Sequence, residues 1–283
     1  KAMEAYWKEW GNLERKEVWK WNTLAEWDRV SESTKREGEE CHFGYLFGIM
    51  VGKMAEYEVG DPRRYYKYRV VFQGNNVKDQ DWNIAMLNEM SSTPATLEAS
   101  RIADIYSCMS SSEHGKHSLE TRDVEQAYLQ AKMRGPPVYI MLPTELWTDE
   151  MWKMKCPVFR LERALYGHKH SGVYWQEFCH ERALKAGFKP VSESSWPCVY
   201  CNDESQLLLI IYVDDLKMSG PVKHMDEAWK KLSQHINIEA QEGDKIAEDG
   251  SRTLTFLGCE LTRSSKCIRG RKVQCVEYNI SGQ

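Results

Sequence analysis

The sharpest chemical feature of the sequence is Tyr212-Val213-Asp214-Asp215, two adjacent carboxylates that follow an apolar run, Leu207 to Val213. Carboxylates at the end of a buried strand cost free energy unless something neutralises them. A divalent cation does this, and hard oxygen donors suit Mg²⁺. The same four residues also read as a polar hairpin turn, since Asp is common in turns, and both readings stay open at this point. A second acidic candidate, Asp123, lies in Thr121-Arg122-Asp123-Val124-Glu125-Gln126-Ala127-Tyr128. Taken alone it reads as a helix cap after a strand. Cys198-Val199-Tyr200-Cys201 is a lone C-x-x-C. A structural zinc site needs four ligands, and Cys259 and Cys267 are poorly spaced to complete one, so these cysteines read as half-buried free thiols. The eight histidines form no metal-ligand pattern, and His168 and His170 read as loop residues.

These residues need elements to hold them. Met3, Tyr6, Trp10 and Leu13 recur at helical spacing and predict an amphipathic lead-in helix. The polar stretch from Ser31 to Glu40 reads as a loop. His42 to Met50 and Tyr68 to Phe72 read as partner strands, the second ended by the turn residues Gln73-Gly74-Asn75-Asn76. Thr93-Pro94 fits an N-cap with Pro at the first helical position, ahead of a helix with Ile102, Ile105, Tyr106 and Met109 on one face. Val138 to Leu142 is a short strand. Tyr174, Trp175, Phe178 and Cys179 mark a helix stopped by Gly187. Gln206 to Val213 is a buried strand that delivers Asp214-Asp215. Val222, Met225, Trp229, Leu232 and Ile236 form a clean helical stripe, and Thr253 to Leu261 reads as one further strand. Strand, helix and strand in this order predict an α+β layer with helices packed on a sheet face.

Composition narrows the class. The chain has 283 residues, 42% hydrophobic and 28% charged, enough for one large or two smaller globular cores. Its longest apolar run is far short of the roughly 20 residues that span a bilayer. A net charge of −4 argues against a general nucleic-acid coat, but not against an enzyme with a local basic groove beside an acidic metal site. Nine cysteines without a secreted-type framework, and a start that lacks a signal-peptide core, predict a reducing intracellular setting. The first residue is Lys, and the chain reads as a fragment of something longer.

Six motifs in order then carry a resemblance. They are Lys67-Tyr68-Arg69-Val70-Val71-Phe72-Gln73-Gly74, Asp123 to Leu129, Val138-Tyr139-Ile140-Met141-Leu142-Pro143, Ala164-Leu165-Tyr166-Gly167-His168-Lys169, Tyr212 to Asp215, and Phe256-Leu257-Gly258. Together they resemble the reverse transcriptase of Ty1/copia-type LTR retrotransposons, from about Leu13 to about Asn279. The resemblance implies an α+β fold of the right-hand polymerase type, with fingers and a palm whose antiparallel sheet is backed by helices. Residues 1–40 would be a helical lead-in and loop. Residues 41–283 would be the fingers and palm, without RNase H.

The implied activity is RNA-directed DNA polymerisation, adding deoxynucleotides to a primer 3′ end with two Mg²⁺ ions, for which Mn²⁺ could substitute. Asp123, Asp214 and Asp215 match the metal-binding carboxylates. Alternation along a strand leads to the expectation that Asp123 and Asp214 are the main ligands, with Asp215 peripheral. Lys67 and Arg69, in the basic aromatic stretch Arg63 to Arg69, match the position that holds the triphosphate. Tyr128 matches the aromatic under the incoming sugar. Tyr166, Gly167 and Lys169 match a loop near the template, and Phe256, Leu257 and Gly258 match the hairpin that grips the primer. The expected partners are an RNA or DNA template with primer, dNTPs and the rest of a retroelement polyprotein, with no membrane. The expected place is the cytoplasm, in a particle, or the nucleus.

One departure stands out. His168-Lys169-His170-Ser171-Gly172 occupies a position where the resembled family has Leu-Lys-Gln-Ala-Pro, which removes a proline from the loop and leaves its geometry open. Two other readings compete with the polymerase. One is a non-catalytic retroelement remnant that binds RNA or a protein partner. The other is an unrelated Mg²⁺-dependent phosphohydrolase, which would explain the aspartates but not the remaining motifs.

Overall fold

The computed structural model describes every residue except 59, 86–91, 93, 112–114, 240–244, 247–251, 258 and 281–283. The chain divides into two compact units: residues 1–91 with 128–175, and residues 92–127 with 176–283. Elements are numbered along the chain.

The first unit is built on a mixed sheet. Its strands are β1 (Ala25–Glu26), β2 (His42–Lys53), β3 (Tyr65–Phe72), β4 (Lys78–Asp79), β7 (Val138–Met141) and β8 (Pro157–Arg160). Their order is β1-β8-β7-β2-β3 with β4 beside β2, and only the β2–β7 pair is parallel. Helix α1 (Ala2–Arg15) forms as its spacing predicts and buries Trp10 and Leu13 in a core with Val70, Phe72, Ile140 and Phe159. The stretch read as a loop from Ser31 is instead the second half of α2 (Trp27–Glu37). Its buried side chains are only Trp27 and Ser31, so no apolar stripe announces it. Gly38 ends it in the left-handed conformation, the usual helix stop. Residues 1–40 therefore carry two helices and fall in the same unit as β2 and β3.

The second unit holds a six-stranded antiparallel sheet in the order β5-β6-β12-β11-β10-β9. Its strands are β5 (Ser110–Ser111), β6 (Gly115–Asp123), β9 (Lys189–Ser192), β10 (Trp196–Asn202), β11 (Leu207–Tyr212) and β12 (Asp215–Pro221). Helices α3 (Leu97–Ser107) and α6 (Val222–Ser233) pack on it. On α6 the stripe residues Met225, Trp229 and Leu232 are buried as expected, whereas Val222 at its start is exposed and Ile236 is buried beyond its end. On α3 the outcome differs in two respects. The helix is capped by Thr96, whose side chain accepts the Ala99 N–H; Thr93, the expected cap, lies outside the described residues. The buried face also carries Ala99, Ser100, Ala103, Asp104 and Ser107, while Ile102, Ile105 and Met109 are exposed. Small side chains let the helix lie close to the sheet, and a polar network described below replaces large apolar packing.

A second, four-stranded antiparallel sheet completes this unit: β13 (Lys245–Ile246), β14 (Arg252–Phe256), β15 (Cys259–Ile268) and β16 (Arg271–Ile280). The single strand expected from Thr253 to Leu261 is thus a hairpin, with Phe256 paired to Cys259. Leu254, Phe256 and Leu261 share a core with Leu119 of β6. Helices α4 (Ala127–Gln130) and α5 (Ser171–Lys185) run across the division between the units. Among the described residues no helix is long and apolar enough to cross a membrane.

Candidate active site

In the second unit the carboxylates converge through strand register. Tyr212 pairs with Asp215 across β11 and β12, so Val213 and Asp214 form a two-residue turn. Val213 holds a φ of +53°, a conformation that a β-branched residue adopts only under constraint. The turn is pinned from the neighbouring strand, where the Val124 N–H donates to the Asp214 carbonyl at 2.7 Å. The hairpin-turn and acidic-site readings of this tetrapeptide therefore coexist in one feature.

Strand β6 runs antiparallel to β12 and sets Asp123 directly opposite Asp215. The strand alternation that favoured Asp214 does not apply, because Asp214 sits in the turn. Burial pushes the Asp215 carboxyl up to about 6, helped by the charges of Asp214 and Asp123, while a hydrogen bond from the Leu257 N–H opposes the rise. Like charges at close range produce this behaviour in paired carboxylates. Leu257 itself holds a φ of +53° in the turn after β14. Two turn residues with positive φ thus bear on the same carboxylate, Val213 in the turn just before Asp215 and Leu257 as its backbone donor.

Among the described residues no three His, Cys, Asp or Glu side chains are gathered as a ready-made metal cage. What the site offers is a pair, Asp123 and Asp215, with Asp214 adding charge from the turn. The donors are all carboxylate oxygens and their negative charge is mutually unfavourable. Both properties fit a hard divalent cation.

The remaining expected residues fall into two groups. In the first unit, Lys67 and Arg69 lie two apart on β3, on one face, and both are exposed. The Arg69 guanidinium lies 5.5 Å from the centre of the Tyr166 ring, and the Tyr166 and Tyr128 rings meet at 4.7 Å. Three of the expected side chains therefore form one row: a cation and two aromatics.

Gly167 beside them has a φ of +89°, and a Cβ there would stand 2.1 Å from the Phe72 carbonyl, so only glycine fits. The Tyr166 carbonyl accepts the Phe72 N–H at 2.7 Å, which ties the loop to β3. The loop closes without proline. The Ser171 hydroxyl donates to the Leu165 carbonyl at 2.7 Å and accepts the Leu165 N–H at 3.1 Å. His168 is buried against Phe72 and Tyr174, and burial holds its pKa down at about 4. Lys169 is exposed. Ser171 and His168 were not singled out from the sequence as locking residues. The signal was a serine at the start of a predicted helix.

In the second unit, Phe256 is buried and Leu257 half-buried at the turn toward Asp215; Gly258 lies outside the described residues. Burial raises the Cys198 thiol to about 11, away from the thiolate that binds metal or attacks carbon. All nine cysteines are unbridged.

A hydrogen-bonded strand pair that juxtaposes acidic residues at a hairpin turn, in an antiparallel sheet backed by helices, is compatible with a nucleotide-polymerising domain. Residues 57–277 match the family "Reverse transcriptase (RNA-dependent DNA polymerase)", and the chain belongs to that family. The relatives it is similar to include retrotransposon polyproteins. It is 33% identical over 95 residues to the truncated transposon Ty1-A Gag-Pol polyprotein of Saccharomyces cerevisiae, and equally so to the Ty1-DR5 Gag-Pol polyprotein of the same yeast. These alignments cover 33% of this chain and 7% and 5% of the respective relatives. The chain thus spans only a small part of the length of the retrotransposon polyproteins it is similar to.

Proposed function

We propose that this chain is the fingers and palm of an RNA-directed DNA polymerase that extends a primer by adding deoxynucleotides. The observation that carries the reading is the pairing of Asp215 with Asp123 across β12 and β6, at a strained turn, with the Asp215 carboxyl raised to about 6. Phosphoryl transfer asks a protein mainly for positioning and charge. The first unit corresponds to the fingers and the second to the palm.

Asp123 and Asp215, with Asp214, would hold divalent metal, Mg²⁺ with Mn²⁺ as a substitute. The chemistry such metal would supply is acidification of the primer 3′-hydroxyl and charge neutralisation at the departing pyrophosphate. The chain's own part is to fix the carboxylates before metal arrives. The Val124 N–H holds the turn, and the Leu257 N–H holds one Asp215 oxygen. In the first unit, Lys67 and Arg69 would bind the triphosphate, as fixed cationic donors do. Tyr128, edge to face against Tyr166, would bear on the sugar. Phe256 and Leu257 would hold the primer end, and Lys169 the template strand.

The test is primer extension on poly(rA)–oligo(dT) with Mg²⁺ and with Mn²⁺. Extension of the primer is the expected result. A well-folded protein that extends nothing with either metal would turn the reading to a non-catalytic remnant that binds RNA or a protein.

A further inference from the structure

Strand β12 carries a lysine where a sheet interior calls for an apolar residue. Lys217, two positions after Asp215, is completely buried. Its ammonium donates to Asp104 Oδ1 at 2.8 Å and to Ser100 Oγ at 2.7 Å, both on α3. Asp104 is 1% exposed, and its second oxygen accepts the hydroxyl of Tyr278 on β16. The same ammonium stands 4.2 Å from the centre of the Phe256 ring. One cation therefore joins four elements: β12, α3, β14 and, through Asp104, β16.

A buried ion pair is costly to desolvate and is weak evidence for stability by itself. Its geometry here points to a different use. Residue 257 follows the ring that Lys217 holds, and its N–H is the donor to Asp215. Asp215 and Lys217 share a strand face, since side chains on a strand alternate. The cation thus sits under a closed circuit: Lys217 to Phe256, Phe256 along the chain to Leu257, Leu257 to Asp215, and Asp215 along β12 back to Lys217. Ser219, next on the same face, donates to the Ala103 carbonyl at 2.6 Å, so two successive residues of that face, Lys217 and Ser219, are tied to α3 by polar contacts. This accounts for the small and polar buried side of α3, which its large apolar residues do not occupy.

We propose that Lys217, held by Asp104 and Ser100, is a positioning residue that fixes the Phe256–Leu257 turn against Asp215 and so sets where the primer end lies relative to the carboxylates. The part concerning primer rests on the functional reading above; the part concerning the turn does not. Removing one partner alone would strand a buried charge, so the informative variant is the double substitution Lys217→Met with Asp104→Asn, which keeps volume and leaves an acceptor for Tyr278.

Two readouts separate the possibilities. The first is amide hydrogen exchange. In the double variant the Leu257 amide should exchange at least tenfold faster than in the parent, while β11 and β12 amides keep their protection. The second is steady-state extension. The KM for primer–template should rise at least fivefold with the KM for deoxynucleotide unchanged, a split that general loss of stability does not produce. Phe256→Leu cuts the same link from the other side and should reproduce both effects, which serves if the double variant does not fold. Native Leu257 protection in a folded variant would overturn the proposal. Fast Leu257 exchange with an unchanged primer KM would overturn its primer part. If the parent chain extends no primer, the functional reading fails, and the exchange measurement still decides whether Lys217 positions the turn.

Discussion

Replacing Asp215 by asparagine should make the metal-free protein more stable at neutral pH. The folded state raises this carboxyl from 3.8 to about 6, chiefly through burial and then through the charges of Asp214 and Asp123. A raised acid pKa means that the folded state prefers the protonated form. The contribution of Asp215 to stability is therefore most favourable below about 4 and is lost as pH rises through about 6. At 1.36 kcal/mol per tenfold change in proton affinity, the rise corresponds to about 3 kcal/mol of destabilisation at pH 7.5. The side chain is only partly buried, and solvent screening reduces this to about 1–2 kcal/mol.

Asparagine keeps the shape and retains an oxygen for the Leu257 N–H, so it removes the charge with little else. Thermal unfolding in EDTA should then show Asp215→Asn melting about 2–8 °C above the parent at pH 7.5, with the gap closing as pH falls from about 6 to about 4. Saturating Mg²⁺ should narrow the gap at neutral pH, because ligand binding to the folded state stabilises only the chain that can bind it. A variant less stable than the parent at pH 7.5, or a gap that does not depend on pH, would refute the argument that Asp215 is strained by its neighbours.

Other outcomes follow from the same geometry. Lys67→Ala and Arg69→Ala should raise the KM for deoxynucleotide more than they weaken primer–template binding; steady-state kinetics alongside equilibrium duplex binding distinguish the two effects. Tyr128→Val should keep deoxynucleotide incorporation and admit ribonucleotides. If the ring excludes a 2′-hydroxyl at an overpacking cost of about 1–3 kcal/mol, the ratio of kcat/KM for dNTP over rNTP should fall about 5- to 150-fold. His168 has its pKa held down at about 4 by burial, so the parent should lose up to about 3 kcal/mol as pH falls from 6.5 towards 4. His168→Leu should remove most of that acid-induced loss in a urea-denaturation series.

Much of the fold was legible where one face of an element meets apolar core. Helix α1 and the Met225, Trp229 and Leu232 stripe of α6 are read correctly because burial there follows the 3.6-residue period. The pattern fails where polar groups do the packing. Helix α2 buries only Trp27 and Ser31, so residues 31–37 look like a loop. Helix α3 turns Asp104 and Ser100 inward toward Lys217, which inverts the face that Ile102, Ile105 and Met109 suggest.

Strand β12 went unread for the same reason, although a two-residue turn at Val213-Asp214 requires a strand on each side. The site is similar. Motif order brought out Asp123, Asp214 and Asp215 as candidates, but only register shows that Asp215 faces Asp123. Likewise, a departure from the expected loop sequence gave no hint that the Ser171 hydroxyl closes it.

The central claim is that the paired carboxylates drive metal-dependent primer extension. The most direct measurement is single-turnover extension of an oligo(dT) primer on poly(rA), comparing the parent chain with Asp123→Asn and Asp215→Asn, each first checked for a native circular dichroism spectrum. The account expects extension by the parent in Mg²⁺ or Mn²⁺ and loss of it in both folded variants. Near-native extension by either variant would contradict it.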